Sequence, residues 1–359
     1  MKNIYLMCQT VTNSAGTERA LCNLANILAN SGKFNVNILS IETTEGNAFY
    51  ELNPSINLFH LGFNVGNRNK FKKIQAYIRF YYYLSDLNKK QGDNVFIGTY
   101  TPFNCVISLL GKCCTKIGCE HLNYAAASKF RRFARKIFYK KLNYTVLLTE
   151  SDRKHYSFLK NTVVIPNSLS FERNKKSSYE QKNVLAIGRL MYQKAFDILI
   201  EIADKVKVHA PDWHFTIVGE GDDKEMLLSL IEEKHLENYV SILPYRKDVI
   251  SLYHSASIYA MSSRFEGLPM VLIEAQSCGL PCISFDCPEG PSDLIDDGEN
   301  GFLISPNDIE SFSNKLLSLM NDEKLREKYG QKAFENSLNY STDVIAKKWF
   351  DLLGGESNV

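Results

Sequence analysis

Two carboxylates and two cations carry the chemistry that can be read from this chain. Glu266 and Glu274 lie in the run Ser262-Ser263-Arg264-Phe265-Glu266-Gly267-Leu268-Pro269-Met270-Val271-Leu272-Ile273-Glu274. Pro269 with a good helix former behind it predicts a first helical turn, since proline loses nothing where the amide would be unpaired anyway. Glu266 then sits in the loop before the helix and Glu274 inside it. Both could reach a ligand held over the helix start, where free N–H groups favour an anion such as a diphosphate. Alone, such a pair also fits a solvated loop–helix junction. Upstream, Gly188-Arg189-Leu190 ends a strand and Lys194 follows shortly after. Cations so placed clamp a phosphate by charge-assisted hydrogen bonds, arginine with a two-pronged fork and lysine as a point charge.

Parallel strands must position these groups. Apolar runs at 4–8, 36–40, 95–98 and 145–148 in the first half alternate with helical stretches. Runs at 184–187, 215–218, 240–243, 258–261 and 281–284 do so in the second, with periodic helices over 195–209 and 223–235. Strands alternating with helices predict βαβ units and parallel sheets. A polar stretch separates the halves, so the expected organisation is a first domain over 1–167, a linker over 168–182 and a second domain over 183–341. A last helix over 342–354 is expected to pack back on the first domain. Such doubly wound sheets bind ligands at the carboxyl ends of their strands.

Length and composition agree with two soluble α/β domains. The chain has 359 residues, 45% apolar and 23% charged, and no apolar run reaches the roughly 18–20 residues of a membrane span. Its start, Met1-Lys2-Asn3-Ile4, runs into a strand without a signal-peptide core, so a cytoplasmic location is expected. Nine cysteines without a C-x-x-C pair indicate neither a disulfide framework nor a zinc site. Cys113, Cys114 and Cys119 are expected as buried apolar residues.

In sequence order, Gly188-Arg189-Leu190 with Lys194, Val218-Gly219-Glu220-Gly221, the acid–seven–acid run from Glu266 to Glu274, Gly279-Leu280-Pro281 and Asn300-Gly301 resemble the donor-binding half of a retaining GT-B glycosyltransferase of family 4. Gly16-Thr17-Glu18-Arg19, Glu120-His121-x-Asn123, Thr149-Glu150-Ser151-Asp152 and Ile165-Pro166-Asn167 resemble its bacterial surface-polysaccharide members. The resemblance covers nearly the whole chain. It implies two Rossmann-like domains facing across a cleft and transfer of a hexose or N-acetylhexosamine from a nucleotide sugar, UDP-linked by preference. Arg189 and Lys194 would hold the diphosphate, Glu274 the ribose and Glu266 the donor sugar. The Gly267-Leu268-Pro269-Met270 turn, Gly188 and Gly16 would approach the donor, and His121 would stand near the anomeric carbon. Because no D-x-D triplet occurs, a metal is not expected, and Asp222-Asp223 and Asp296-Asp297 are assigned to helix starts and turns. Two departures from the family are Ala15-Gly16 for a glycine pair and Ala195 after Lys194. Ordinary backbone angles or a tighter pocket are expected at both.

Charge divides unevenly. Residues 1–170 hold 22 Lys and Arg against 9 Asp and Glu, while the remainder holds 20 against 31. Residues 129–141 pack seven cations and four aromatics together. On a helix, Phe130, Phe133, Ala134 and Ile137 share a face, and Lys129, Arg131, Arg132, Arg135 and Lys136 are expected on an acceptor or membrane surface. The alternative is a core helix with a solvated basic face. Residues 67–73 and Phe80-Tyr81-Tyr82-Tyr83 could join that surface. The expected partners are a glycan acceptor on a polyprenyl diphosphate and the anionic cytoplasmic face of the inner membrane. Lipopolysaccharide-core or protein-glycan-precursor transfer are alternatives within the same fold. A nucleic-acid-binding protein would use the basic half but leave the four charged residues of the second half without a purpose. A dinucleotide oxidoreductase would need G-x-G-x-x-G after an early strand, which the chain lacks.

Overall fold

The computed structural model describes residues 1–354 except 14, 15, 67, 68, 91, 122, 123, 125, 126, 174, 175 and 247. The chain divides into two units, one of residues 1–170 with 342–359 and one of residues 171–341.

The first unit contains β1 (Lys2–Cys8), α1 (Gly16–Asn30), β2 (Phe34–Ser40), β3 (Asn57–His60), α2 (Lys70–Lys90), β4 (Asn94–Gly98), α3 (Thr101–Ser108), β5 (Cys114–Cys119), α4 (Lys129–Phe138), β6 (Tyr144–Leu147), α5 (Glu150–Arg153) and β7 (Thr162–Val164). Its seven strands are parallel in the order β3-β2-β1-β4-β5-β6-β7. The central strands are covered on both faces, which is why β1 and β4 read as apolar runs. Leu21, Leu24 and Leu28 of α1 pack on one face of the sheet. Phe80 and Leu84 of α2 and Phe103 and Ile107 of α3 pack on the other.

In the second unit are β8 (Asn183–Ile187), α6 (Phe196–Lys207), β9 (His214–Val218), α7 (Lys224–Glu233), β10 (Val240–Leu243), α8 (Val249–His254), β11 (Ile258–Met261), α9 (Met270–Ser277), β12 (Cys282–Phe285), α10 (Pro291–Leu294), β13 (Gly301–Ile304), α11 (Ile309–Asn321) and α12 (Glu323–Asn336). The six parallel strands run β10-β9-β8-β11-β12-β13, the doubly wound order. A final helix, α13 (Thr342–Leu353), packs in the first unit, where Phe350 stacks on Phe34 at 6.1 Å.

Several expectations change here. Beyond Ser170, the stretch expected as a linker belongs to the second unit. Ser177 donates to the Ala256 carbonyl at 2.6 Å and Tyr179 to that of Gly279 at 2.8 Å; Asn174 and Lys175 lie outside the described residues. Cys113 is exposed rather than buried, whereas Cys114 and Cys119 are in the core. Phe80 is core, leaving only Tyr82 of the aromatic run exposed.

Candidate active site

A doubly wound sheet opens where the strand order reverses, and in the second unit that point lies between β8 and β11. The loop after β8 carries Gly188, Arg189 and Lys194; the loop after β11 carries Glu266 and the Gly267-to-Met270 turn. Topology alone therefore gathers the sequence motifs at one end of one sheet.

The first loop continues the ladder beyond its strand. Gly188 N–H donates to the Val218 carbonyl at 3.0 Å, and Leu190 N–H to that of Glu220 at 2.9 Å. A Cβ at Gly219 would come within 1.9 Å of the Gly188 oxygen, which explains the Val218-Gly219-Glu220-Gly221 run. Arg189 is thereby held at the strand tip, exposed, with no hydrogen-bond or ion-pair partner among the described residues.

Lys194 closes a short 3₁₀ turn, Tyr192–Lys194. Its Nζ lies 2.6 Å from Glu266 Oε1, and Ser263 Oγ donates to the same oxygen at 2.6 Å. A strap fixes the two loops. Arg264 binds Asp197 through both terminal nitrogens, at 2.6 and 3.2 Å, and covers the Tyr192 ring at 4.2 Å. Gln193 donates to the Phe265 carbonyl at 3.0 Å. Sequence reasoning missed Ser263, Arg264, Asp197 and Gln193. The only signal was their closeness to Glu266 and Lys194 along the chain.

Helix α9 begins at Met270, with Pro269 at the cap rather than in the first turn: its ψ of 97° is extended. Glu274 is only 1% exposed and accepts from Tyr253 at 2.9 Å. Thus Lys194, Glu266 and Gly188 come together, while Glu274 is held beneath the helix start by a tyrosine that sequence alone did not single out. Gly290, at φ +96°, brings the loop after β12 against Gly267: a Cβ there would lie 1.8 Å from the Gly267 oxygen. Asp297 serves its turn by accepting from Leu303 N–H at 3.0 Å. Asp223 precedes α7 but gives it no side-chain cap.

Ala195 corrects an expectation. Its φ of 52° and ψ of 42° are left-handed, a region that favours glycine, so the angles are not the ordinary ones expected for alanine.

In the first unit, His121 lies two residues beyond the end of β5 and lines a cavity of about 20 Å³ with Thr99, Asn167, Ser168 and Trp349. Its Nδ1 has no partner among the described residues, and burial pushes the ring's pKa down from 6.5 to about 4. Such a cavity admits a single water. Gly16 is the exposed first residue of α1; Ala15 and Asn123 lie outside the described residues.

On α4, Lys129 and Lys136 are exposed, and Arg131 and Arg132 are half-buried. Arg135 does not face outward. It is 1% exposed and pairs with Glu120 at 2.5 Å, because the helix turns its apolar residues out instead. Phe130 is 78% and Phe133 61% exposed, with Ile137 beside them. Helix α2 shows a second such stripe, Phe71, Ile74, Ile78 and Tyr82, at spacings of three and four that were legible in the sequence. No helix among the described residues is long and apolar enough to cross a membrane.

Two doubly wound units, the second with cations and a carboxylate at its switch point, admit more than one function, and comparison with known proteins narrows it. Residues 170–336 match the family described as glycosyl transferases group 1. The amylovoran biosynthesis glycosyltransferase AmsD of Erwinia amylovora is 30% identical over 98% of this chain and 100% of its own length. The chain belongs to the group 1 glycosyltransferases. A Campylobacter jejuni relative, 29% identical over 96% of this chain and 97% of its own, is named as an alpha-1,4-N-acetyl-D-galactosaminyltransferase acting on a PP-undecaprenol-linked glycan. Staphylococcus aureus TarM, solved with Fondaparinux, alpha-GlcNAc-glycerol and UDP, superposes with a TM-score of 0.84 over 99% of this chain and 100% of that one, at 20% identity. The fold is GT-B.

Proposed function

We propose that this glycosyltransferase is a retaining, family 4 enzyme of surface-polysaccharide biosynthesis. It moves a hexose or N-acetylhexosamine from a UDP-sugar to a glycan carried on a polyprenyl diphosphate. The observation that carries this reading is the switch-point cluster, where exposed Arg189 stands on the same loop as Lys194, itself paired with Glu266. An arginine fork beside a lysine suits a diphosphate, and a carboxylate next to them suits sugar hydroxyls. The UDP in the TarM complex and the PP-undecaprenol in the Campylobacter relative's name support the donor and acceptor classes.

The reaction exchanges one bond at the anomeric carbon. Its bond to the diphosphate oxygen breaks, a bond to the acceptor hydroxyl oxygen forms on the same face, and the hydroxyl proton passes to the departing diphosphate. Double displacement would need a carboxylate on the opposite face, and Glu266 is committed to Lys194 and Ser263. Arg189 and Lys194 neutralise the charge that develops on the leaving group. Glu274 binds the ribose, and His121 takes part in the transfer.

The exposed apolar and basic residues of α4 and α2 set the enzyme on an anionic leaflet. Apolar side chains enter the interface and each nearby cation adds ~1 kcal/mol. Flotation with phosphatidylglycerol-containing vesicles should carry the protein upward, less so after Phe130→Ser with Phe133→Ser.

A panel of UDP-sugars tested by thermal shift identifies the donor. Transfer onto a polyprenyl-diphosphate glycan, with NMR of the product's anomeric configuration, then tests the reaction. An inverted product would overturn the mechanism; transfer undiminished in Arg189→Ala would overturn the site.

A further inference from the structure

Helix α4 faces two ways. Its outward stripe is apolar, yet in its last turn Arg135 passes inward to a carboxylate that is itself 3% exposed. That carboxylate, Glu120, receives four donors: Arg135 Nη2 at 2.5 Å, Thr101 Oγ1 at 3.2 Å, Asn104 Nδ2 at 3.4 Å and the Tyr139 hydroxyl. Arg135 also donates to Thr101 Oγ1 at 3.1 and 3.2 Å and lies within 6 Å of the rings of Tyr124 and Tyr156. Packed apolar groups hold such a helix as well as a buried ion pair does, and often better. The pair therefore calls for a reason beyond stability.

Its place in the chain supplies one. Glu120 N–H still donates to the Val146 carbonyl at 3.0 Å, so the residue prolongs β5 by one step. Consecutive side chains on an extended strand point to opposite faces. Glu120 accordingly turns toward α3 and α4, while His121 turns toward α1 and α13 into the cavity it lines with Leu21 and Trp349. The histidine's far side offers it little: its Nδ1 has no partner among the described residues. The backbone at Glu120 is thus the firm attachment next to the ring.

We propose that the Glu120–Arg135 ion pair is the positioning device for His121, with Glu120 and Arg135 acting through the histidine. This rests on the proposed role of His121 in transfer. Glu120 anchors the strand end from which the imidazole projects, and Arg135 ties that anchor to the helix bearing the outward Phe130 and Phe133. Losing the charge or the fork lets the strand end shift. A misplacement of 1 Å can cost about 10²-fold.

A double-mutant cycle on the full chain tests it, using Glu120→Gln, His121→Gln and the double variant. Turnover, donor KM and melting temperature are measured for each, with assays run well below every melting point. Glu120→Gln keeps the shape of the side chain, and Arg135→Lys, which keeps the charge, gives an independent break. The expected result is a kcat lower by up to about 100-fold in Glu120→Gln with donor KM unchanged. The double variant should turn over no more slowly than His121→Gln alone, because two groups acting as a unit do not lose activity additively. A lower melting temperature with kcat intact would show a purely structural pair and overturn the proposal, as would losses that multiply. Full turnover in His121→Gln would also overturn it. The transferase reading itself is judged separately by Arg189→Ala.

Discussion

Lys194 Nζ lies 2.6 Å from Glu266 Oε1, so the cation expected on the donor diphosphate is paired with the carboxylate expected on the donor sugar. Both side chains are largely buried, 18% and 8% exposed, and a buried charge left without its partner is costly. On the proposed reading, Lys194 is held in place for the diphosphate, and Arg189, exposed and unpaired among the described residues, meets it first. Lys194→Ala should lower kcat by ~10²–10³, the usual loss for one charge-stabilising donor, and also lower the melting temperature. Arg189→Ala should lower kcat comparably and leave the melting temperature unchanged. Steady-state kinetics beside thermal melts separate the two; equal melting losses would contradict the asymmetry.

Gly290→Ala should damage the site through the backbone. The residue sits at φ +96° with the Gly267 oxygen where a Cβ would go, so the loop after β12 must withdraw from the Gly267-to-Pro269 turn. A loss of at least about 2 kcal/mol is expected from strain of this kind, together with weaker donor binding. Urea unfolding and a UDP-sugar titration measure both, and wild-type values in each would refute the close approach.

The second unit was more legible in sequence than the first. Its core strands are short apolar runs buried on both faces, and the charged motif follows the two strands that flank the switch point. Strands β3, β5, β7 and β13 are not marked by long apolar runs: β5, Cys114-Thr115-Lys116-Ile117-Gly118-Cys119, is central but broken by polar residues and glycine, and the other three are edge strands. β3 and β7 lie at one edge or the other of the first sheet and β13 at the edge of the second, where exposure on one side permits polar or brief sequences such as Asn57-Leu58-Phe59-His60. Arg135 was misplaced because cations on an amphipathic helix are ordinarily solvated. Only the tertiary position of Glu120, fifteen residues earlier in sequence, makes an inward arginine favourable. Tyr253 and the Arg264–Asp197 strap were illegible for the same reason, since their partners are distant along the chain and supplied by packing.

Ala195→Gly should be neutral or stabilising, the reverse of the ordinary effect inside a helix. Alanine in the left-handed region costs roughly 1–2 kcal/mol, whereas glycine's extra freedom in the unfolded chain costs about 0.5–1. The balance is a gain of up to about 1.5 kcal/mol, read from urea midpoints. Ala203, fully buried within α6, is the control. There, Ala→Gly should lose about 1 kcal/mol. A comparable loss at Ala195 would refute the left-handed assignment.

His121 should make the fold acid-sensitive in a defined window. Burial holds its pKa near about 4, below the ordinary 6.5, so the folded state disfavours the charged ring. Above pH 6.5 the ring is neutral in both states and this contribution is complete. As pH falls from 6.5 toward 4, the unfolded chain takes up a proton that the folded one refuses, and stability drops; below about 4 the folded ring protonates too and the slope ends. His121→Gln removes this dependence while every carboxylate keeps its own. Between pH 7 and pH 5 the wild type should therefore lose about 1–2 kcal/mol more than the variant, measured by urea unfolding at both values. The same shift keeps the imidazole neutral at physiological pH, so the pH profile of kcat should show no histidine limb near 6.5. Equal acid sensitivity of the two proteins would mean that the ring is solvated, and the cavity beside it would then be no shelter.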